Sequence, residues 1–316
     1  MMIQTDNRIS IMLEEAEKVI KGKKSVLEKV LMCIMAEGNI LLEDVPGVGK
    51  TTLALTFSKI LGLDYRRIQF TPDVMPSDVT GFTMYDKESG QFKYREGAVT
   101  QCNLLLADEI NRTASKTQSA LLEVMEEKQV TVDGQTYPLQ NPFIVLATQN
   151  PAGSAGTQML PQAQLDRFLV RLSMGYPDVA MQMEILKDRQ KENPIDHIKN
   201  VVSKEDIIRL QEQVTDVYTS DEVLHYMSRL AEATRTNTMI SLGISPRGVL
   251  ALNRMAKANA FVKGRDYVVP SDIRDVFVDV CAHRITVSAK GRIAEKSAEE
   301  ILTDIMEVVP EEWSER

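Results

Sequence analysis

The chain has 316 residues, 43% of them hydrophobic, with 37 Lys and Arg set against 45 Asp and Glu, a formal charge of −8. That length supports a large core, one domain with a smaller companion, and the acidic balance offers no global attraction to nucleic acid. Three scattered cysteines (Cys33, Cys102 and Cys281) make no CxxC pair and no metal-ligand cluster, as suits buried thiols in a reducing compartment.

No apolar run approaches the length of a membrane span. Acids interrupt the pattern of the first residues, so no signal peptide is expected and the chain reads as cytoplasmic. Taken in order, Ile9, Leu13 and Ala16 predict a helix over 8–18, and a second is expected over 24–36. Between them VIKG ends in a helix-breaking Gly22. ILLE at 40–43 is a short apolar strand. A glycine-rich loop follows it and opens a helix with Leu53, Phe57 and Leu61 on one face.

Two hairpins come next. GFTMYDKESGQFKYREG, from Gly81, alternates about a polar turn, and KQVTVDGQTYPL, from Lys128, turns on Asp133-Gly134. Strand NLLLADE and a helix over 116–127 lie between them. PFIVLATQN and FLVRLSM are further strands. Short apolar strands alternating with helices predict an α/β domain with a mostly parallel sheet, here assigned to residues 1–177. After GYPD the pattern turns helical, and residues 178–316 are assigned to an all-helical lid domain. Ser203 with Asp206, and Ser220, are expected to cap their helices.

LLEDVPGVGKTT places a phosphate loop between strand and helix. Its oddity is Asp44, where the general pattern has its first Gly. Gly47 and Gly49 let main-chain N–H groups face a phosphate, and the helix start adds positive charge. Val45, Pro46, Val48 and Thr52 complete the cradle. Lys50 would reach the β- and γ-phosphates of ATP and Thr51 would bind Mg²⁺. Asp108 and Glu109 end a buried strand, where Asp108 would hold the metal and Glu109 would act as general base. Asn150, just past another buried strand, is suited to orient water against the γ-phosphate.

LLEDVPGVGKT, LLLADEINRT, VLATQNP, LPQAQLDRF and GISPRG occur in that order. The set resembles the AAA+ ATPases and, within them, the MoxR family. The resemblance implies a Walker A motif on 44–51, Walker B on 104–109 and sensor 1 on Asn150. It implies an arginine finger at Arg167 and a lid arginine, sensor 2, at Arg247. Val19, Ile20 and Gly22 fall on the segment that lies over the adenine. The two hairpins match family inserts. Arg112 stands where it can face a neighbour or the nucleotide.

The resemblance also implies a homo-oligomeric ring, a hexamer, that remodels, activates or assembles client proteins. Some members aid metal insertion, and many are paired with a protein bearing a von Willebrand factor A domain. A DNA-linked AAA+ motor and a nucleotide-gated scaffold are the rival readings. The net negative hairpin tips DKES and VDGQ speak against the first. Intact Lys50, Glu109 and Arg167 speak against the second. Tyr85, Phe92 and Tyr94 are open to either use, partner contact or packing against their own domain.

Overall fold

The computed structural model describes residues 7–151, 157, 159–190 and 192–311. The strands are β1 (Ile40–Glu43), β2 (Tyr65–Gln69), β3 (Gly81–Asp86), β4 (Gln91–Glu96), β5 (Leu104–Asp108), β6 (Gln129–Val132), β7 (Gln135–Pro138), β8 (Ile144–Gln149), β9 (Val170–Leu172), β10 (Ile240–Leu242) and β11 (Thr286–Val287). Helices α1 (Asn7–Glu17), α2 (Lys24–Met35), α3 (Lys50–Ile60), α4 (Pro76–Thr80), α5 (Ser115–Glu127) and α6 (Gln162–Leu165) accompany the main sheet. Beyond it come α7 (Val179–Asp188), α8 (Lys204–Thr215), α9 (Asp221–Thr236), α10 (Pro246–Val262), α11 (Pro270–Cys281), α12 (Ala289–Ile293) and α13 (Ala298–Val308).

Five parallel strands form the sheet in the order β2-β5-β8-β1-β9. The three central strands are apolar at nearly every position because both of their faces are covered. Leu41, Leu105, Ala107, Val145 and Ala147 point to a core shared with Leu121, Leu122 and Met125 of α5. Their neighbours Ile40, Leu42, Leu104, Leu106, Ile144 and Leu146 point the other way. That second core holds α1, α2 and α3 and continues without a break into Ile207, Leu210, Met255 and Phe277 of the C-terminal helices. Polar ties reinforce the seam: Gln211 Nε2 donates to Ile34 O at 2.9 Å, Val201 N to Ile60 O at 2.8 Å, and Arg254 to Ala36 O.

Two expectations need correcting. The sequence YRRIQ is a strand, β2, paired along its length with β5, although no strand was expected there. It is an edge strand with Arg66 and Arg67 exposed, so it lacks the apolar run that marks its neighbours. The C-terminal part is not wholly helical either, since β10 and β11 make a small antiparallel ribbon. The expected caps are present. Ser203 and Asp206 form a reciprocal pair (Asp206 N to Ser203 Oγ 3.2 Å, Ser203 N to Asp206 Oδ2 3.0 Å), and Ser220 Oγ accepts from Val223 N at 3.4 Å. All three cysteines are buried, and burial pushes the Cys102 and Cys281 thiols up to about 12, which makes them poor nucleophiles.

The first hairpin, β3–β4, divides its aromatic residues. Tyr94 stacks on Tyr137 of the second hairpin at 4.0 Å and donates to Thr80 O. Phe82, Tyr85 and Phe92 are exposed, with Tyr85 and Phe92 in an edge-to-face contact at 5.4 Å.

Candidate functional site

In a parallel sheet the C-terminal ends of the strands share one edge, and the register here gathers the polar ends of four strands. Glu43 lies opposite Gln149, and Gln69 opposite Asp108. The phosphate loop leaves β1 at this edge. Gly47 (φ +88°) and Gly49 (φ +99°, the residue before α3) are both left-handed. A Cβ would meet nothing within 4 Å at Gly47 and only Met174 Cε, 3.8 Å away, at Gly49. Backbone conformation and not crowding therefore demands glycine there. The open space above Gly47 is room for a phosphate.

Lys50 opens α3, and its Nζ donates to Asp44 O at 2.7 Å and Val45 O at 3.4 Å. Burial lowers its pKa below the ordinary lysine value, while Asp44, Asp108 and Glu109 oppose that shift. Thr51 is exposed in the first turn, and Val45, Pro46, Val48 and Thr52 line the loop at intermediate or full exposure.

The two acids are held differently. Asp108 accepts from Thr148 Oγ1 at 2.6 Å through one oxygen and pairs with Arg67 Nη2 at 2.6 Å through the other. Glu109 adopts the left-handed region (φ +58°), unusual for a residue with a side chain. Its N–H donates to Thr148 Oγ1 at 2.9 Å, which helps to hold that turn. Its carboxylate receives Asn150 Nδ2 at 3.1 Å on one oxygen and Gln69 Nε2 at 3.1 Å on the other, with Arg112 Nε 3.5 Å from the latter. Asn150 is itself fixed by Asn111, which donates to Asn150 O at 3.1 Å. Asn150 thus contacts the candidate base directly.

Asp108 and Thr51 fit a Mg²⁺ site of the kind completed by substrate phosphates and water. Such sites need few protein carboxylates, and among the described residues no cluster of three or more His, Cys, Asp or Glu could hold a metal alone.

Val19 and Ile20 are buried, and Gly22 (φ +66°) sits where a Cβ would fall 2.6 Å from Met181 Cγ of α7. Lys23 Nζ donates to Tyr176 O at 2.9 Å. The segment is thereby held against the start of the C-terminal helices, just past the Ser173–Gly175 stretch that borders the phosphate loop.

Arg167 and Arg247 lie elsewhere. Both pair with Glu126 of α5, Arg167 Nη1 at 3.1 Å and Arg247 Nη2 at 2.8 Å. Arg167 also donates to Leu122 O at 2.7 Å. Beneath them Arg284, buried, donates from Nε to Asp166 Oδ1 at 2.7 Å and from Nη2 to Phe168 O at 2.6 Å. Ser245, the cap of α10, reaches Asp166 Oδ2 at 3.3 Å. Asp166, the residue before Arg167, therefore ties that turn to Arg284 and to the helix start that carries Arg247. The cleft beside them, about 620 Å³, adds Lys128, Arg254 and Lys257. Among the described residues its lining includes none of the phosphate loop, Asp108, Glu109 or Asn150.

Sequence reasoning did not find Arg67, Gln69, Thr148 or Glu126. Gln69 and Arg67 alternate on YRRIQ with their side chains toward the acids, a signal readable only once β2 is recognised.

The strand order, loop and helical lid define an enzyme class, and a comparison with known families agrees. Residues 39–170 match the model described as ATPase family associated with various cellular activities (AAA), and residues 232–305 match the AAA lid domain. The protein is an AAA+ ATPase, and it hydrolyses ATP. YeaC of Bacillus subtilis, an uncharacterised protein, is 45% identical over 94% of this chain and 92% of its own. The chaperone MoxR1 of Mycobacterium tuberculosis is 38% identical over 93% of this chain and 80% of its own. A candidate ATPase from Cytophaga hutchinsonii, solved as a crystal structure, superposes with a TM-score of 0.88 at 40% identity, covering 96% of this chain and 94% of that one. The chain belongs to the MoxR family of AAA+ ATPases, a chaperone family.

Proposed function

We propose that the protein works as a homo-oligomeric ring, a hexamer, in which each ATP is bound by one copy and completed by its neighbour. One observation carries this: Arg167 and Arg247 converge on Glu126, in a cleft that excludes the phosphate loop of the same chain. Two arginines suited to phosphate but turned away from their own loop are suited to someone else's. In this reading Lys50 and the N–H groups of the loop bind the β- and γ-phosphates. Glu109, aimed by Asn150 and Gln69, takes the proton of a water that attacks the γ-phosphorus. The bond to the β-phosphate oxygen breaks, leaving ADP and inorganic phosphate.

Arg167 and Arg247 of the neighbouring copy meet the charge that develops on the γ-phosphoryl oxygens. Thr51 and Asp108 would hold Mg²⁺, which supplies positive charge at the β- and γ-phosphate oxygens. For Asp108 to do so Arg67 must give up its ion pair. Val19, Ile20 and Gly22 cover the adenine.

The work of the ring is remodelling, activating or assembling a client protein in the cytoplasm, with metal insertion as one form of it and a protein bearing a von Willebrand factor A domain as partner. The exposed Phe82, Tyr85 and Phe92 of the first hairpin support contact with a protein chain, since aromatic residues on a stiff ribbon give large contact area at small entropic cost. No helix of the described residues is long and apolar enough to cross a membrane. Affinity capture with Glu109→Gln in ATP tests the reading. Recovery of a discrete client or a von Willebrand-type protein, lost with Phe92→Ala, is expected; recovery of DNA instead would overturn it.

A further inference from the structure

Asp44 occupies the position where a phosphate loop ordinarily begins with glycine, and its side chain is not idle. It is only 6% exposed. One carboxylate oxygen accepts from Ser173 Oγ at 2.8 Å and from Gly175 N at 3.1 Å, and the other accepts from Met174 N at 2.6 Å. These three donors follow directly on β9, whose pairing with β1 ends at Leu42 opposite Leu172. The carboxylate takes up hydrogen bonding where the ladder stops. The main chain of the same residue faces the other way, its N–H toward Gln149 O at 3.4 Å and its carbonyl accepting Lys50 Nζ at 2.7 Å.

We infer that Asp44 is a positioning residue that ties the phosphate loop to the Ser173–Gly175 segment, so that the state of the loop is felt where the chain leaves the sheet for the helical part. The path beyond the tie is short. Gly175 leads through Tyr176 to Asp178, whose side chain caps α7 by accepting from Met181 N at 2.8 Å. Met181 in turn packs against Gly22, and Lys23 holds Tyr176 O. A phosphate drawing Lys50 away from Asp44 O changes the load on the residue whose carboxylate anchors that path. Charged acceptors make the stronger hydrogen bonds, and donors left buried without a partner are costly. Glycine, the residue of the general motif, would leave Met174 N buried without an acceptor and would take the same acceptor from Ser173 Oγ and Gly175 N nearer the surface.

The inference rests on the ATPase assignment and not on the ring or its client, so it is tested on hydrolysis and exchange alone. The decisive variant is Asp44→Gly, which restores the general motif. Its kcat is expected to fall roughly tenfold or more, as a loosened catalytic geometry does, while KM for ATP changes less. Amide exchange at Met174 and Gly175 is expected to slow when nucleotide binds the natural protein and to lose that response in Asp44→Gly. Asp44→Asn keeps the size but turns an amide against Met174 N–H, and Ser173→Ala removes one donor only. Both are expected to show the same two changes in smaller measure, and the Ser173 effect is expected to vanish in the Asp44→Gly background. These milder variants decide the matter if Asp44→Gly does not fold. Natural kcat in Asp44→Gly, an unaltered exchange response to nucleotide, or additive effects of Asp44→Gly and Ser173→Ala would each overturn the inference.

Discussion

The acidic end of the sheet and the arginine face are built to different standards. Asp108 and Glu109 have side chains 11% and 17% exposed, each oxygen is occupied by a defined donor, and Lys50 is buried beside them. Arg167, Arg247 and their shared Glu126 have side chains 30%, 47% and 39% exposed. Exposed ion pairs are worth little, about 0–1 kcal/mol. The difference teaches that the first half is held in one arrangement while the second is held only by exposed or half-exposed ion pairs. Glu126 keeps two cations in place at small cost, and under the proposed function they would pass to a neighbour's nucleotide.

The contrast can be broken from either side. Removing the base should have the largest effect: Glu109→Gln is expected to lower steady-state phosphate release by on the order of 10³-fold while leaving fluorescent-nucleotide binding intact. Unchanged turnover would remove Glu109 from its role. Arg167→Ala is next, with a loss on the order of 10²-fold. If the arginines serve a neighbour, mixing it with Lys50→Ala subunits restores part of the rate, because one interface then combines the intact loop of one variant with the intact arginine of the other. No recovery in verified mixed oligomers would count against a shared site.

Glu126→Ala probes the shared ion pairs themselves. Its hydrolysis rate should stay within about threefold of the natural protein, and its unfolding free energy should drop by no more than about 1 kcal/mol. A large loss in either would mean that Glu126 is part of the working site.

A last effect, on stability and not on turnover, concerns the foundation under the arginines. His283 is buried, its Nε2 lies 3.0 Å from Phe168 O and 2.8 Å from Arg284 Nη1, and burial first, then Arg284, holds its pKa well below 6.5. Below pH 6.5 the unfolded chain takes up a proton at His283 that the folded chain refuses. Stability therefore falls as pH drops through that value and is unaffected by this group above it, with a slope of at most about 1.4 kcal/mol per pH unit. Denaturant midpoints measured from pH 7.5 to 5.5 should show a shallower acid slope in His283→Gln. An equal slope would assign the effect to other groups.

How far the sequence was legible follows from where each residue finds its partners. Strands β1, β5 and β8 were readable because burial on both faces leaves an unbroken apolar run. Asp108, Glu109 and Asn150 could be singled out because each sits at the end of such a run, and Lys50 because it follows the glycine loop that leaves one. β2 escaped because an edge strand needs no such run, and with it went Gln69, which meets Glu109 from 40 residues away only through the β2–β5 register. Asp44 was legible as a departure from the motif but not as a tie, since its partners, though on the neighbouring strand's end, come 129 to 131 residues later in the chain. Arg167 and Arg247 were marked by their motifs; that they would share Glu126 depends on where the turn after α6 and the start of α10 fall against α5, which no local pattern encodes.

The unbroken core beneath the sheet bears on how this gene can be cut. The texture of the chain changes near residue 178, and a stop codon placed there would look like a clean division. Yet Leu31, Ile34 and Met35 of α2 lie in the same apolar cluster as Leu210 of α8 and Met255 of α10. A fragment ending at 177 would carry an apolar face with nothing to lie against. The sheet and the helices can be told apart by eye, but a gene cut between them would divide one core.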